Sequence, residues 1–426
     1  METAEVTATA EPGVPEQESP QDVRTRTDGR KPVLIEPDLE FIRVMGRTGG
    51  DSLKMCFQCG TCSATCPLAP DDHPFPRKEM AWAVWGMKDR LMADPDVWLC
   101  HHCNDCSTNC PRGARPGDVL GAVRQQAIIH YALPRFLARW VGNPRYIPLL
   151  LAIPAVLLWL AISFRDRIGG ALGFHVPTED EIVFSFTPLL PHWLLDSFFG
   201  LFGAFALLAA VVGIWRFARA LKRSETWGEN PKPVKGVGAS VATVLAKILT
   251  HYNFTFCETD HRRSISHFGV FFGFVALTLV TLWIITGPVN PLIRGDFIYP
   301  FSLFSPWKIL ANLGGLAILA GLLMMIWDRL YFGHLAGTSS YFDWFLVWTF
   351  FLVVASGFVT EFLHYLRMTP HRQVAYFGHL VLVFGLLIYL PYSKLAHLLY
   401  RTTAMVFAER YGRIVGEPAK KGGANR

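Results

Sequence analysis

Apolar positions are spread unevenly along the chain, and the unevenness predicts two kinds of structure. Beyond Tyr146 six long apolar runs follow one another: Tyr146–Phe164, Trp193–Trp215, Phe268–Gly287, Ile309–Trp327, Phe342–Thr360 and Val374–Tyr392. A helix needs roughly 17–25 such residues to cross a hydrocarbon core. Trp, Tyr, Lys or Arg flank each run, where side chains meet the membrane interface. One run could be a buried helix of a soluble protein; six in series predict a membrane domain. Upstream the pattern is different. Met80, Ala81, Val84, Trp85, Met87 and Leu91 recur at helical spacing within Arg77–Ala93, and Val119, Val123, Ala127 and Ile128 do so within Asp118–Tyr131. Asp38–Met45 is a third short candidate, and period-two alternation is almost absent, so an all-α module is expected. These stripes read as core packing.

The flanks carry little apolar character. Residues 1–31 are rich in Glu, Pro, Thr and Ala and read as a disordered tail, as do residues 414–426. The expected organisation is a tail over 1–31, a helical module over 32–135, a six-span membrane domain over 136–413 and a second tail. The start of the chain lacks the basic opening and apolar core of a signal peptide. Lys and Arg number 40 against 34 Asp and Glu, and the excess is placed in particular loops. Arg216, Arg219, Lys222 and Arg223 follow the second span, Arg262 and Arg263 precede the third, and Lys394, Arg401, Arg410 and Arg413 follow the sixth. The other loops hold Arg165, Arg167, Arg294, Arg367 and Arg372. The positive-inside rule then places both termini and the helical module on the cytoplasmic side of the inner membrane. No nucleic-acid partner is expected.

Eight of the nine cysteines fall into two copies of C-x2-C-x2-C-x3-C followed by Pro. The first copy is Cys56, Cys59, Cys62 and Cys66; the second is Cys100, Cys103, Cys106 and Cys110. This run holds two [4Fe–4S] clusters in bacterial two-cluster ferredoxins, the fourth cysteine crossing to the other cluster. Cys56, Cys59, Cys62 and Cys110 are therefore assigned to one cluster, and Cys100, Cys103, Cys106 and Cys66 to the second. Zinc favours paired C-x2-C units, and disulfides need an oxidising compartment. Cys257 is expected to be structural, and His101 and His102 to be exposed loop residues.

Histidines in apolar spans are costly and mark cofactors or proton routes. His267 stands at the inner end of span three, His364 at the outer end of span five, and His379 and His397 along span six. The eighteen residues between the last two make five helical turns and about 27 Å, which would put both rings on one helix face near opposite membrane surfaces. Imidazole is an axial ligand for haem iron. An inner haem b between His267 and His397 is expected, and an outer one on His379, with His364 ahead of His371 and His192 as its partner. A hydrogen-bonded structural or proton-relay role is the alternative for each. For quinone, the outer turn offers Glu361, His364 and His371, and the inner side His251, Arg262, Arg263 and Lys394.

Cys56-Phe57-Gln58-Cys59-Gly60-Thr61-Cys62-Ser63-Ala64-Thr65-Cys66-Pro67, a second such run and a membrane domain resemble a fusion of the C and E subunits of heterodisulfide reductases. The arrangement is most similar to the membrane subunits of quinone-interacting membrane-bound oxidoreductase complexes. That resemblance implies a helical ferredoxin fold and electron transfer between cytoplasmic flavin and iron–sulfur subunits and the membrane quinone. It also implies adenylylsulfate reductase beyond those subunits. Pro391-Tyr392-Ser393-Lys394-Leu395-Ala396-His397 and Ser266-His267-Phe268-Gly269 resemble the inner haem-ligand segments of the cytochrome b subunit of respiratory nitrate reductases. The chain departs from that family at Ala276-Leu277-Thr278, where a second histidine would stand, so one or two haems are expected. A membrane subunit of a dithiol reductase and a haem-bearing anchor are the competing readings. There is no Gly-rich dinucleotide fingerprint, so flavin chemistry is expected on other subunits.

Overall fold

The computed structural model describes residues 36–70, 73–176, 186–227, 231–252, 254, 261–287, 290, 301–332 and 337–413. Both expected tails, Cys257 and Arg294 lie outside these residues. From Asp38 onward the described residues belong to one compact unit, and its regular structure is entirely helical.

Eight short helices come first: α1 (Leu39–Arg47), α2 (Thr61–Ala64), α3 (Arg77–Val84), α4 (Lys88–Met92), α5 (Asp96–Leu99), α6 (Asp105–Thr108), α7 (Pro116–Tyr131) and α8 (Arg135–Val141). Asp38 caps α1 by accepting from the Phe41 N–H at 2.8 Å. Pro116 opens α7, where a missing N–H costs no helical bond. α7 is the spine of this segment and packs against α1, α3, α4, α5, α6 and α8. Its Val119, Leu120, Val123, Ala127 and Ile128 are buried against Met45, Phe75, Met80, Leu91 and Trp98. The apolar core continues past residue 135: Trp98 stacks on Tyr400 with ring centroids 5.1 Å apart, and Tyr131 meets Phe217 at 5.4 Å.

The apolar part comprises α9 (Ile147–Ser163), α10 (Arg165–Leu172), α11 (His192–Lys222), α12 (Val237–Leu249), α13 (His261–Thr286), α14 (Pro306–Tyr331), α15 (Tyr341–Tyr365), α16 (His371–Tyr389) and α17 (His397–Arg410). Six stretches are long and apolar enough to cross a membrane: Pro144–Ser163, His192–Lys222, Arg262–Thr286, Pro306–Tyr331, Tyr341–Tyr365 and His371–Tyr392. They coincide with the six apolar runs of the sequence, and they make the chain a multi-pass membrane protein. Large residues such as Leu201, Leu207 and Leu313 point outward on them, as lipid-facing side chains do.

α13 and α14 form the most extensive helix pair. Their seam is lined by small residues: a Cβ on Gly273 would stand 2.5 Å from the Gly314 carbonyl oxygen, and one on Gly321 2.5 Å from that of Ser266. Gly269 and Gly273 are four residues apart, the spacing that lets membrane helices touch backbone to backbone.

The expectation of one helix carrying both His379 and His397 does not hold. α16 ends at Tyr389, and two 3-10 turns, Leu390–Tyr392 and Lys394–Ala396, intervene before α17 starts at His397. Pro391 has no N–H to continue the ladder. Ser393 is extended (ψ 177°), and its hydroxyl accepts from the Leu395 N–H at 3.2 Å to start the next turn. The five-turn alignment of the two histidines is therefore lost.

Candidate cofactor sites

The cysteine runs fold into loops that wrap two cavities. Cys56, Cys59, Cys62 and Cys110 line one; Cys66, Cys100, Cys103 and Cys106 line the other. The fourth cysteine of each run thus reaches the cavity of the opposite run. Tight left-handed turns make this possible: Gly60 has φ 87°, and Gln58, His102 and Asn104 have φ of 59°, 56° and 72°. That conformation is costly for non-glycine residues, and such strain concentrates at functional loops. α2 and α6 then lift Cys62 and Cys106 inward. All eight are free thiols, four around each cavity, the soft donor set that an iron–sulfur cluster requires. Burial pushes the Cys62 thiol up to about 11 and Cys66 up to about 12, a cost that bound iron reverses by holding the thiolates. Gln58 Nε2 donates to Cys56 Sγ and the His102 N–H to Cys100 Sγ, each at 3.3 Å. The two cavities differ in access. Cys59 is exposed, whereas Cys100 and Cys106 are buried.

Three arginines close the second cavity. Arg124 on α7 donates to the carbonyls of Val97 (2.7 Å) and Cys100 (2.6 Å). Arg401 on α17 donates to Cys100 O at 3.1 Å, and Arg263 on α13 donates to His102 O. His101 and His102 are consequently not the exposed loop residues expected. His102 Nε2 lies 3.0 Å from Asp118 Oδ1, and Asp118 Oδ2 accepts from the Thr338 N–H at 3.1 Å. Burial pushes His102 down to about 4 and His101 well below the usual histidine range, with Arg401 and Arg263 adding to the latter effect. The sequence signal missed was the arginine one turn from each of His267 and His397: both lie on the ring-bearing face of their helices.

His267 and His397 each stand one helical turn from an arginine, Arg263 and Arg401, that reaches the Cys100–His102 loop. Each has one ring nitrogen already engaged. His267 Nδ1 is 3.1 Å from His251 Nε2, and His397 Nδ1 is 2.7 Å from the Lys394 carbonyl oxygen. That leaves both Nε2 atoms available, the arrangement that orients metal-binding imidazoles. His251, missed as a site residue of this pair, holds a left-handed φ of 51° at the end of α12. Lys394 forms an ion pair with Asp343, which also closes a capping box with Ser340 on α15, so the turn before His397 is fixed at both ends. Phe254 packs 5.2 Å from the His267 ring. His101 Nε2 is buried here with no hydrogen-bond partner among the described residues, an atom that a bound polar group would satisfy. The donor set fits haem.

The outer residues are arranged less closely. His379 Nδ1 lies 3.0 Å from Ser356 Oγ, and its ring packs on Gly357, where a Cβ would stand 3.2 Å away. His364 lies about 11 Å further along α15 at 1.5 Å per residue, beside Phe186 at 5.3 Å. The structure does not bring these two histidines into contact. Glu361 is paired with Lys308 (2.9 Å) and accepts from Asn312 (3.2 Å), both from α14. His371 is exposed at the start of α16. Of the inner cations, Arg262 pairs with Asp328 at 3.1 Å, and Arg263 and Lys394 are engaged as above.

Comparison with known proteins fits this layout. Residues 52–114 match the 4Fe-4S dicluster domain family. Over 90 residues the chain is 39% identical to the C subunit of the H(2):CoB-CoM heterodisulfide,ferredoxin reductase of Methanothermobacter marburgensis, covering 21% of this chain and 49% of that protein. It is 35% identical over 101 residues to an Archaeoglobus profundus protein that is itself like the C subunits of heterodisulfide reductases, covering 23% and 54%. Citrate utilization protein B of Escherichia coli aligns over 394 residues at 24% identity, covering 88% of this chain and 92% of that protein. The chain spans about half the length of the two reductase relatives. No solved structure matches it. The N-terminal segment is thus an iron–sulfur electron-transfer domain of the kind found in oxidoreductase components, and it carries [4Fe–4S] clusters.

Proposed function

We propose that the chain is the electron-transfer subunit of a membrane-bound oxidoreductase of the quinone-interacting kind. It passes electrons between cytoplasmic flavin and iron–sulfur subunits, with adenylylsulfate reductase beyond them, and the membrane quinone. The observation that carries this reading is the arginine closure of the second cysteine cavity: Arg263 and Arg401 come from the two helices that bear His267 and His397. The loop of one redox site is thereby bound to the helices of the next.

Cys56, Cys59, Cys62 and Cys110 hold one cluster in this reading, and Cys66, Cys100, Cys103 and Cys106 the other. When bound, the clusters and haem b supply the one-electron carriers that no side chain here can replace. His267 and His397 would hold haem b, and His251 and the Lys394 carbonyl fix their rings. The rings of Phe254 and Phe271 pack beside the His267 ring. His379, held by Ser356, and His364 are the residues for a second haem. Glu361 and His371 handle protons at the quinone, and Lys308 and Asn312 hold the Glu361 carboxylate in place.

Iron and haem analysis with an optical and EPR titration by a menaquinol analogue tests the reading. About eight non-haem irons are expected, from two four-iron clusters. His267→Ala and His397→Ala are expected to abolish the same low-spin haem signal. Loss of two different signals breaks the pairing, and haem that quinol cannot reduce favours the structural anchor instead. The reductase relatives support a second reading, in which the soluble partner acts on a disulfide. The identity of the co-purifying subunit decides between the two.

A further inference from the structure

The cavity of Cys56, Cys59, Cys62 and Cys110 opens on a surface whose composition is unusual for the soluble face of a protein. Phe57 is 67% exposed and Met55 45%. They form one patch: the Arg112 guanidinium lies 4.1 Å over the Phe57 ring, and a Cβ on neighbouring Gly113 would touch the Met55 methyl at 3.5 Å. The patch borders Cys59, the one cluster-run cysteine that is exposed. Lys54, Arg77 and Arg112 stand around it, all exposed and none in an ion pair among the described residues. The nearby acid Asp51 is already taken by Arg115 at 2.9 Å. The Asp51–Met55 turn and α2 pack on α1, α3, α6 and α7, so the patch is carried by the dicluster segment. An aromatic anchor in an apolar centre with a charged rim is the anatomy of a protein-binding surface.

We infer that the Met55–Phe57 patch with its Lys54, Arg77 and Arg112 rim is the docking face for a soluble redox protein whose own centre is ringed by acidic residues. The inference rests on the electron-transfer reading above and assigns the partner's point of entry. The three cations of the rim fix the sign of the partner's charge. The exposed Cys59 edge fixes where the electron crosses, since none of the other cavity's four cysteines is exposed and three arginines engage its loop. The exchange is one electron: the partner's centre is oxidised by one as the cluster held here is reduced by one, with no bond made or broken. Steering by such a rim raises association rates and makes them fall with salt.

The test uses the full chain in nanodiscs and, as probe, a reduced plant-type [2Fe–2S] ferredoxin with an acidic surface. Binding is followed by surface plasmon resonance and cluster reduction by stopped flow. Lys54→Glu and Met55→Ser lie outside the cavity wall. Each is expected to slow association at low salt by about tenfold or more, and Lys54→Glu to flatten the salt dependence. Arg139→Glu, on α8, is the control and is expected to bind as the parent does. Dithionite, which needs no docking face, is expected to reduce the clusters of every variant. Parental binding and rates in both patch variants overturn the inference. So does a fall in light-scattering mass on Met55→Ser, which would make a second copy of this chain the occupant. If dithionite reduces no cluster even in the parent chain, the electron-transfer reading fails and the docking face falls with it.

Discussion

The four cysteines around each cavity come from two runs whose first cysteines are 44 positions apart, so a single cysteine change should be felt at a distance. Cys66→Ser removes a donor from the cavity of Cys100, Cys103 and Cys106. It is expected to degrade that cluster's EPR signal and leave the other intact, and Cys110→Ser is expected to do the reverse. Signals lost within the mutated run alone would contradict the crossing. The grouping of the cysteines was legible because their spacing is a local property. The surroundings of His101 and His102 were not. Their burial is made by Arg263, Arg401 and Thr338, which arrive from helices far along the chain. No local pattern in Cys100–Cys106 announces those neighbours. The engagement of Glu361 by Lys308, which arrives from another helix, was hidden in the same way.

At the scale of elements, the α13–α14 seam decides where His267 stands. Gly273→Leu would drive a side chain against the Gly314 backbone, which cannot rotate away. A cost of about 1–3 kcal/mol is expected from overpacking, with loss of the haem band because α13 carries both His267 and Arg263. Gly200→Leu on α11, where a Cβ meets nothing within 4 Å, should leave both melting temperature and haem absorbance unchanged. Equal behaviour of the two variants would show that the seam does not position the site. All six spans were legible from hydropathy, because a membrane helix must be apolar over its whole length. The break at Leu390–Ala396 was only half legible. Pro391 signalled a disturbance, but the residues around it stay apolar enough to read as one span. Whether the chain bends or stops depends on the Ser393 turn and on the Asp343–Lys394 pair, which are tertiary.

Across the whole molecule, a buried charge cluster joins the cysteine-bearing segment to the last described residue, Arg413. Glu79, Asp94 and Asp96 are fully buried around Lys78, which lies 3.3, 3.1 and 2.9 Å from them, and Arg413 pairs with Asp96. Burial would lower Lys78, but the three carboxylates hold it above its usual value. Three acids face two cations, and burial and Asp94 push Glu79 well above the carboxylate range; Asp96 is pushed up to about 6 for the same reasons. An acid raised in the folded state keeps a proton that the unfolded chain releases. Its contribution is therefore greatest at low pH and declines as the pH rises through the folded value. Glu79→Gln, which needs no proton to be neutral, is expected to raise the melting temperature at pH 8 by about 2–4 °C and to do little at pH 5. An equal effect at both pH values would show that Glu79 is ionised throughout.

Arg413 and Arg401 reach residues 317 and 301 positions earlier in the chain, at Asp96 and Cys100. Translation delivers the cysteine runs first and these arginines last. Between the two events the ribosome must thread six hydrophobic helices into a bilayer. The second cysteine loop waits through all of that with its carbonyls unbound and Trp98 lacking its Tyr400 partner. The pocket of Cys66, Cys100, Cys103 and Cys106 is therefore complete only once the final helix has docked beside it.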